Sequence, residues 1–138
     1  MKYTIYTDGG YYLRYDVGAF AYVILDEEGK VVAYSSSKIQ NETSNRAELL
    51  AIIYAIAQLP IGVDAIIYTD SRYCTLVCNS TKQYTLNADL IELYHNVVNA
   101  QRANITIKKI KGHSGNKWNE KCDEMCTRNI NEQLPFKR

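Results

Sequence analysis

Two hydrophobic periods alternate along the chain, and the switches between them mark its elements. Residues 2–8 read Lys-Tyr-Thr-Ile-Tyr-Thr-Asp, a β-branched and aromatic run that predicts a strand. Residues 18–25, Gly-Ala-Phe-Ala-Tyr-Val-Ile-Leu, predict a second strand. Asp26-Glu27-Glu28-Gly29 then reads as a turn, and Lys30 to Ser37 as a third strand. Together they predict an antiparallel meander. The link Tyr11-Tyr12-Leu13-Arg14-Tyr15-Asp16 is expected as an exposed aromatic loop.

After Thr43 the period changes. Thr43-Ser44-Asn45 offers N-cap side chains, and every residue from Ala47 to Ala57 is apolar or tyrosine except Glu48. A helix apolar on all sides is a buried one. Glu48 is either a capping-box partner of Asn45 or a carboxylate held by something else, because a lone buried charge needs solvent, hydrogen bonds or a cation. Metal ligation is the favoured reading. Pro60 and Gly62 end the helix, and Asp64 to Thr69 predicts a strand returning parallel to the first. Ser71 to Cys78 reads as a short helix. Asn87 is expected to cap an amphipathic helix striped with Leu90, Ile91, Tyr94, Val97 and Val98, with His95 partly buried beside the stripe. Ile105 to Ile110 is a final strand. A loop with Gly112, His113 and Gly115 follows, then a last helix with Trp118, Cys122, Met125 and Cys126 on one face and Asp123 beside it.

One tetrapeptide occurs twice: Ile5-Tyr6-Thr7-Asp8 and Ile67-Tyr68-Thr69-Asp70. Each copy ends a predicted strand with a carboxylate. In sheets with parallel strands, ligands bind at the strands' carboxyl ends, so adjacent strands would put Asp8 and Asp70 across one small volume. Two such charges repel unless a cation lies between them. Turn capping remains the alternative for both.

The 138 residues are enough for one domain with a real core. No run is long and apolar enough to span a membrane. Met1-Lys2-Tyr3 leads straight into the first strand, which predicts a cytosolic protein without a signal peptide. The net charge of +1 is uninformative, but its distribution is not. Residues 1–100 hold 7 Lys/Arg against 11 Asp/Glu, and residues 101–138 hold 9 against 4. Such asymmetry suits a protein that holds cations in one place and phosphates in another. Cys74/Cys78 and Cys122/Cys126 are paired at i, i+4 and read as small buried hydrophobes rather than zinc ligands.

The candidate chemistry is then four carboxylates, Asp8, Glu48, Asp70 and Asp123, with His113 in a loop. Hard oxygen ligands suit Mg²⁺ or Mn²⁺, and two such ions can drive an in-line phosphoryl displacement. On Thr7-Asp8-Gly9, Thr43-Ser44-Asn45-Arg46-Ala47-Glu48, Tyr68-Thr69-Asp70-Ser71, Lys111-Gly112-His113-Ser114-Gly115 and Asn119-Glu120-Lys121-Cys122-Asp123-Glu124, taken in order, the chain resembles the type 1 ribonuclease H family from Lys2 to about Asn129.

The resemblance implies an α/β ribonuclease H-like fold, a five-stranded mixed sheet with helices on both faces. It implies an endonuclease cutting the RNA strand of RNA–DNA hybrids to leave 5′-phosphate and 3′-hydroxyl ends. Asp8, Glu48, Asp70 and Asp123 match the ligands of two Mg²⁺ ions, for which Mn²⁺ can substitute, and His113 matches a histidine that assists water activation or product release. Thr43 and Asn87 match a pocket for a DNA phosphate, and Ser44 and Asn45 match positions in the hybrid's minor groove. Helix capping is the other reading of these four.

The family's Lys/Trp-rich handle has no counterpart, since residues 79–86 hold only Lys82 as a cation. Hybrid affinity is then expected to lean on Lys108, Lys109, Lys111 and Lys117 and to be salt-sensitive. Asn41 replaces a common arginine, and Arg14 stands where an asparagine is common, in a substrate-facing loop. A single ribonuclease H domain is expected over residues 1–130, with a flexible tail over 131–138. In that tail Gln133-Leu134-Pro135-Phe136 faintly resembles sliding-clamp peptides. A monomer is expected. The competing functions are an inactive hybrid-binding module and a same-fold nuclease acting on duplex RNA or branched DNA.

Overall fold

The computed structural model describes residues 1–112 and 115–134. Five strands form one sheet in the order β3-β2-β1-β4-β5. They span Lys2–Tyr12 (β1), Val17–Leu25 (β2), Val31–Ile39 (β3), Asp64–Thr69 (β4) and Asn104–Lys109 (β5). β1, β2 and β3 pair antiparallel, while β4 lies parallel to both β1 and β5. Among the described residues four α-helices complete the fold: α1 (Ser44–Ala57), α2 (Arg72–Cys78), α3 (Ala88–Gln101) and α4 (Lys117–Gln133). This is the mixed sheet flanked by helices that the sequence predicts.

Alternation along β2 builds two cores. Tyr22 and Ile24 face a cluster with Leu49, Ile52 and Ile56 of α1 and with Leu90, Ile91 and Tyr94 of α3. Val17, Ala19, Ala21, Val23 and Leu25 face the other side, where Cys122, Cys126 and Ile130 of α4 cover them. β2 is buried on both faces for that reason, and α1 is the all-apolar helix of the first core. Cys74 and Cys78 belong to one core and Cys122 and Cys126 to the other. The sheet separates the pairs, so they do not form a common metal site, and all four are free thiols.

Two expectations need correction. β1 does not stop at Asp8: it continues to Tyr12, pairing Gly9 to Phe20, Gly10 to Ala19, Tyr11 to Gly18 and Tyr12 to Val17. The Gly-Gly pair read as a turn because it carries no hydrophobic signal, but the ladder there is made by backbone alone. His95 is exposed rather than partly buried, and its ring meets the edge of Tyr94 at 5.1 Å. The last helix runs past residue 130. Asn131 to Gln133 complete α4, and Leu134 is buried against the α4 core. Gln133 donates to the Gly18 carbonyl at 2.9 Å, so the two leading residues of the clamp-like peptide are turned inward. Pro135 to Arg138 lie outside the described residues.

Candidate active site

The repeated tetrapeptide is in register with itself. Ile5 pairs with Ile67 and Tyr6 with Tyr68 across the parallel β1–β4 ladder, and the two tyrosine rings stack at 5.2 Å. Asp8 and Asp70 therefore leave the same edge of the sheet from adjacent strands. Thr7 and Thr69 between them are wholly buried. The Thr69 hydroxyl accepts from the Ser71 amide at 3.0 Å, and Ser71 caps α2 by accepting from the Cys74 amide at 3.0 Å. That sequence of contacts fixes the backbone on either side of Asp70.

Glu48 reaches the same volume from α1. A Cβ placed on Gly9 would fall 2.6 Å from the Ala47 carbonyl carbon and 2.7 Å from the Glu48 nitrogen, closer than real Cβ atoms approach. Only glycine after Asp8 lets the first turns of α1 sit this near the strand. Thr43 is the N-cap of α1, accepting from the Arg46 amide at 3.2 Å. Glu48 is thus too far along the helix for a capping box with Asn45. Its Oε1 is buried and has no hydrogen-bond partner among the described residues.

One carboxylate oxygen from each of Asp8, Glu48 and Asp70 lies within 4.8 Å of the others. Asp123, half-buried on α4, is outside that triad, but its charge and a hydrogen bond act on Asp8. Burial first, and then the charges of Asp70 and Asp123, push the Asp8 carboxyl up to about 7. Burial, reinforced by Asp8 and Asp70, holds Glu48 well above the usual carboxylate range. No Lys or Arg among the described residues pairs with any of the four. Clustered acids, an orphaned buried oxygen and no counter-cation make a donor set that fits a hard divalent metal. His113 lies outside the described residues. Gly112 before it packs against Asp70, where an added Cβ would meet Oδ2 at 2.8 Å.

Thr43 and Asn87 come together through Arg46, a residue that the motif reading passed over. Its backbone amide donates to the Thr43 hydroxyl and its guanidinium to the Asn87 side-chain Oδ1 at 3.4 Å. The same guanidinium holds Asp89 by two bonds of 2.8 Å and Glu42 by one of 2.6 Å. The i, i+4 spacing of Glu42 and Arg46 was the visible signal; Asp89, forty-three residues on, gave none. Asn87 itself does not cap α3 with its side chain. Its amide donates to the Tyr73 hydroxyl at 2.8 Å instead.

Ser44 donates to the Tyr11 carbonyl at 3.4 Å, and Asn45 is exposed. The hairpin tip is a 3₁₀ turn, Leu13–Tyr15, with Arg14 over the Tyr15 ring at 5.3 Å. Asp16 ties that tip to the link between β3 and α1, accepting from the Tyr11 hydroxyl and from the Asn41 amide. Lys108, Lys109, Lys111 and Lys117 are all exposed. Residues 79–87 join α2 to α3 directly, without an intervening helix.

The RNase H family model matches residues 1–131. The chain belongs to the RNase H family. It is 29% identical over 136 residues to the "Ribonuclease HI" of Synechocystis sp., covering 88% of this chain and 83% of that one. It is 30% identical over 141 residues to the "Ribonuclease H" of Chlorobium phaeobacteroides, covering 94% and 95%. The "Ribonuclease H" of Francisella tularensis subsp. novicida is 31% identical over 142 residues, covering 94% and 91%. Among solved structures, LC11-RNase H1 isolated from compost superposes with a TM-score of 0.82 over 96% of this chain and 98% of that one. At 23% identity that likeness establishes the RNase H fold.

Proposed function

We propose that this RNase H family member is a divalent-metal-dependent endonuclease that hydrolyses the RNA strand of RNA–DNA hybrids. The observation that carries the reading is the convergence of Asp8, Glu48 and Asp70 within 4.8 Å, with Asp123 beside them and no Lys or Arg among the described residues paired with them. These four side chains would hold two Mg²⁺ ions, with Mn²⁺ as a substitute. Ions bound there supply charge neutralisation, an activated water and stabilisation of the leaving oxygen.

The chain's own residues do the rest. Asp8, held within β1, and Asp70, just past the end of the adjacent β4, keep their oxygens from drifting as charge develops on the phosphate. Glu48, inside the helix–sheet junction, keeps bulk water from one side of the site. In this reading His113 carries a proton to or from the reacting oxygens. Thr43 and Asn87, aligned by Arg46, bind a phosphate of the DNA strand. Ser44 and Asn45 meet the minor groove, where 2′-hydroxyls distinguish RNA from DNA, and Arg14 extends that contact from the hairpin tip. The products are 5′-phosphate and 3′-hydroxyl ends.

The test is a panel of matched hybrid, duplex RNA, branched DNA and duplex DNA, each with Mg²⁺, Mn²⁺ or chelator. Cleavage of the hybrid alone, and only with metal, is expected. Comparable cleavage of duplex RNA would remove hybrid specificity, and binding without cleavage would make the protein a binding module.

A further inference from the structure

The carboxylate cluster has two flanks along the sheet edge. On the β1–β2 side stand Ser44 and Tyr11, bonded to each other. On the β5 side lies an open groove of about 530 Å³ lined by Arg72, Thr75, Leu76, Asn79, Ser80 and Lys109. Arg72 follows Asp70 by two residues. Lys109 is the register partner of Thr69, and the next amide, Ile110, donates to the Thr69 carbonyl at 2.8 Å. By strand alternation Lys109 shares the face of Ile107, which packs in the core of the α2 and α3 side. Its side chain therefore lines the groove together with Arg72.

These cations differ from Arg46, which two carboxylates occupy. Both Arg72 and Lys109 are exposed, and neither has an ion-pair partner among the described residues. The wall between them is held in place. The Thr75 hydroxyl donates to the Ser71 carbonyl at 3.0 Å, and the Asn79 amide to the Ile107 carbonyl at 3.2 Å. Leu76 adds an exposed apolar surface. Two free cations, fixed polar groups and one apolar side chain match a sugar–phosphate backbone. A polyanion lying across four carboxylates also needs cations close by to offset their repulsion.

We propose that the Arg72–Lys109 groove is a phosphate subsite that grips the cut strand beyond the scissile position, an inference that rests on the nuclease reading above. The test is fluorescence anisotropy of a labelled RNA–DNA hybrid in chelator, where no cleavage occurs, over a salt series. Arg72→Ala, Lys109→Ala and the double variant are compared with wild type, with Lys30→Ala in the β2–β3 turn as control. The double variant should bind about tenfold more weakly at low salt, and its log–log salt slope should fall by roughly 0.9 for each lost contact. The loss should vanish on a hybrid whose RNA strand carries neutral methylphosphonates, and persist when only the DNA strand carries them.

An unchanged affinity and slope in the double variant, or dependence on the DNA-strand phosphates, would overturn the subsite. If the predicted loss appears in a protein that cleaves nothing, the subsite stands and the nuclease reading fails. If wild type binds no hybrid, both fall.

Discussion

Neutralising Asp8 should stabilise the metal-free protein, and by an amount that depends on pH. The Asp8 carboxyl is pushed up to about 7 in the folded chain, from an ordinary value of 3.8. A folded-state value above the unfolded one means that the folded protein holds the proton more tightly. The associated stability is present below pH 3.8 and is lost as pH rises through about 7. Three pK units at about 1.4 kcal/mol each give a cost of ~4 kcal/mol at pH 8. Asp8→Asn removes that cost and relieves Asp70, Glu48 and Asp123 of one neighbouring charge. For a chain of this size the gain corresponds to a rise in Tm on the order of 10 °C. The assay is urea unfolding of wild type and variant in chelator between pH 4 and 8. The variant should gain at pH 8, gain less at pH 6, and match wild type near pH 4. Added Mg²⁺ should close the gap by stabilising wild type, since a ligand that binds only the folded state adds stability. A gain at pH 8 below about 1 kcal/mol, or one equally large at pH 4, would refute the account of a repelling acid cluster.

The remaining expectations concern single contacts. Asp70→Asn should lower hybrid cleavage on the order of 10³-fold while leaving hybrid binding nearly intact; turnover close to wild type with Mg²⁺ would show that Asp70 is not a ligand. Gly9→Ala should cost ~1–3 kcal/mol in urea unfolding, because its Cβ meets backbone atoms of Ala47 and Glu48 that are unable to swing aside, whereas Gly29→Ala tests only a positive φ in open space. Arg46→Ala should cost about 1 kcal/mol and weaken hybrid binding by releasing Thr43 and Asn87; unchanged affinity would separate Arg46 from the substrate pocket.

The acidic centre was legible in the sequence because its signals are local. A tetrapeptide repeated on two strands announces Asp8 and Asp70, and a solitary acid in an apolar helix announces Glu48. The extension of β1 through Gly9 and Gly10 was hidden, since two residues without side chains leave no hydrophobic period to read even while their amides pair with β2. Arg46 was overlooked as a hub because Asp89 and Asn87 reach it only through tertiary folding. The Arg72–Lys109 groove was hidden for the same reason, its cations being thirty-seven residues apart and joined only by the β4–β5 ladder. Polar composition suggested a free tail at Gln133 and Leu134, yet one hydrogen bond to Gly18 and one leucine in the core keep the helix end docked.

The in-register tetrapeptides make the sheet itself the ruler of the site. The β1–β4 ladder pairs Tyr6 with Tyr68, two residues before Asp8 and Asp70, and sets the strands there roughly 4.8 Å apart, a length that no surface substitution alters. A gauge built from main chain is indifferent to what grows at its margins. Loops on either side are then free to lengthen, to lose a basic handle or to acquire a tyrosine-rich hairpin. Affinity and substrate preference change with them, while the distance that the chemistry depends on stays the same.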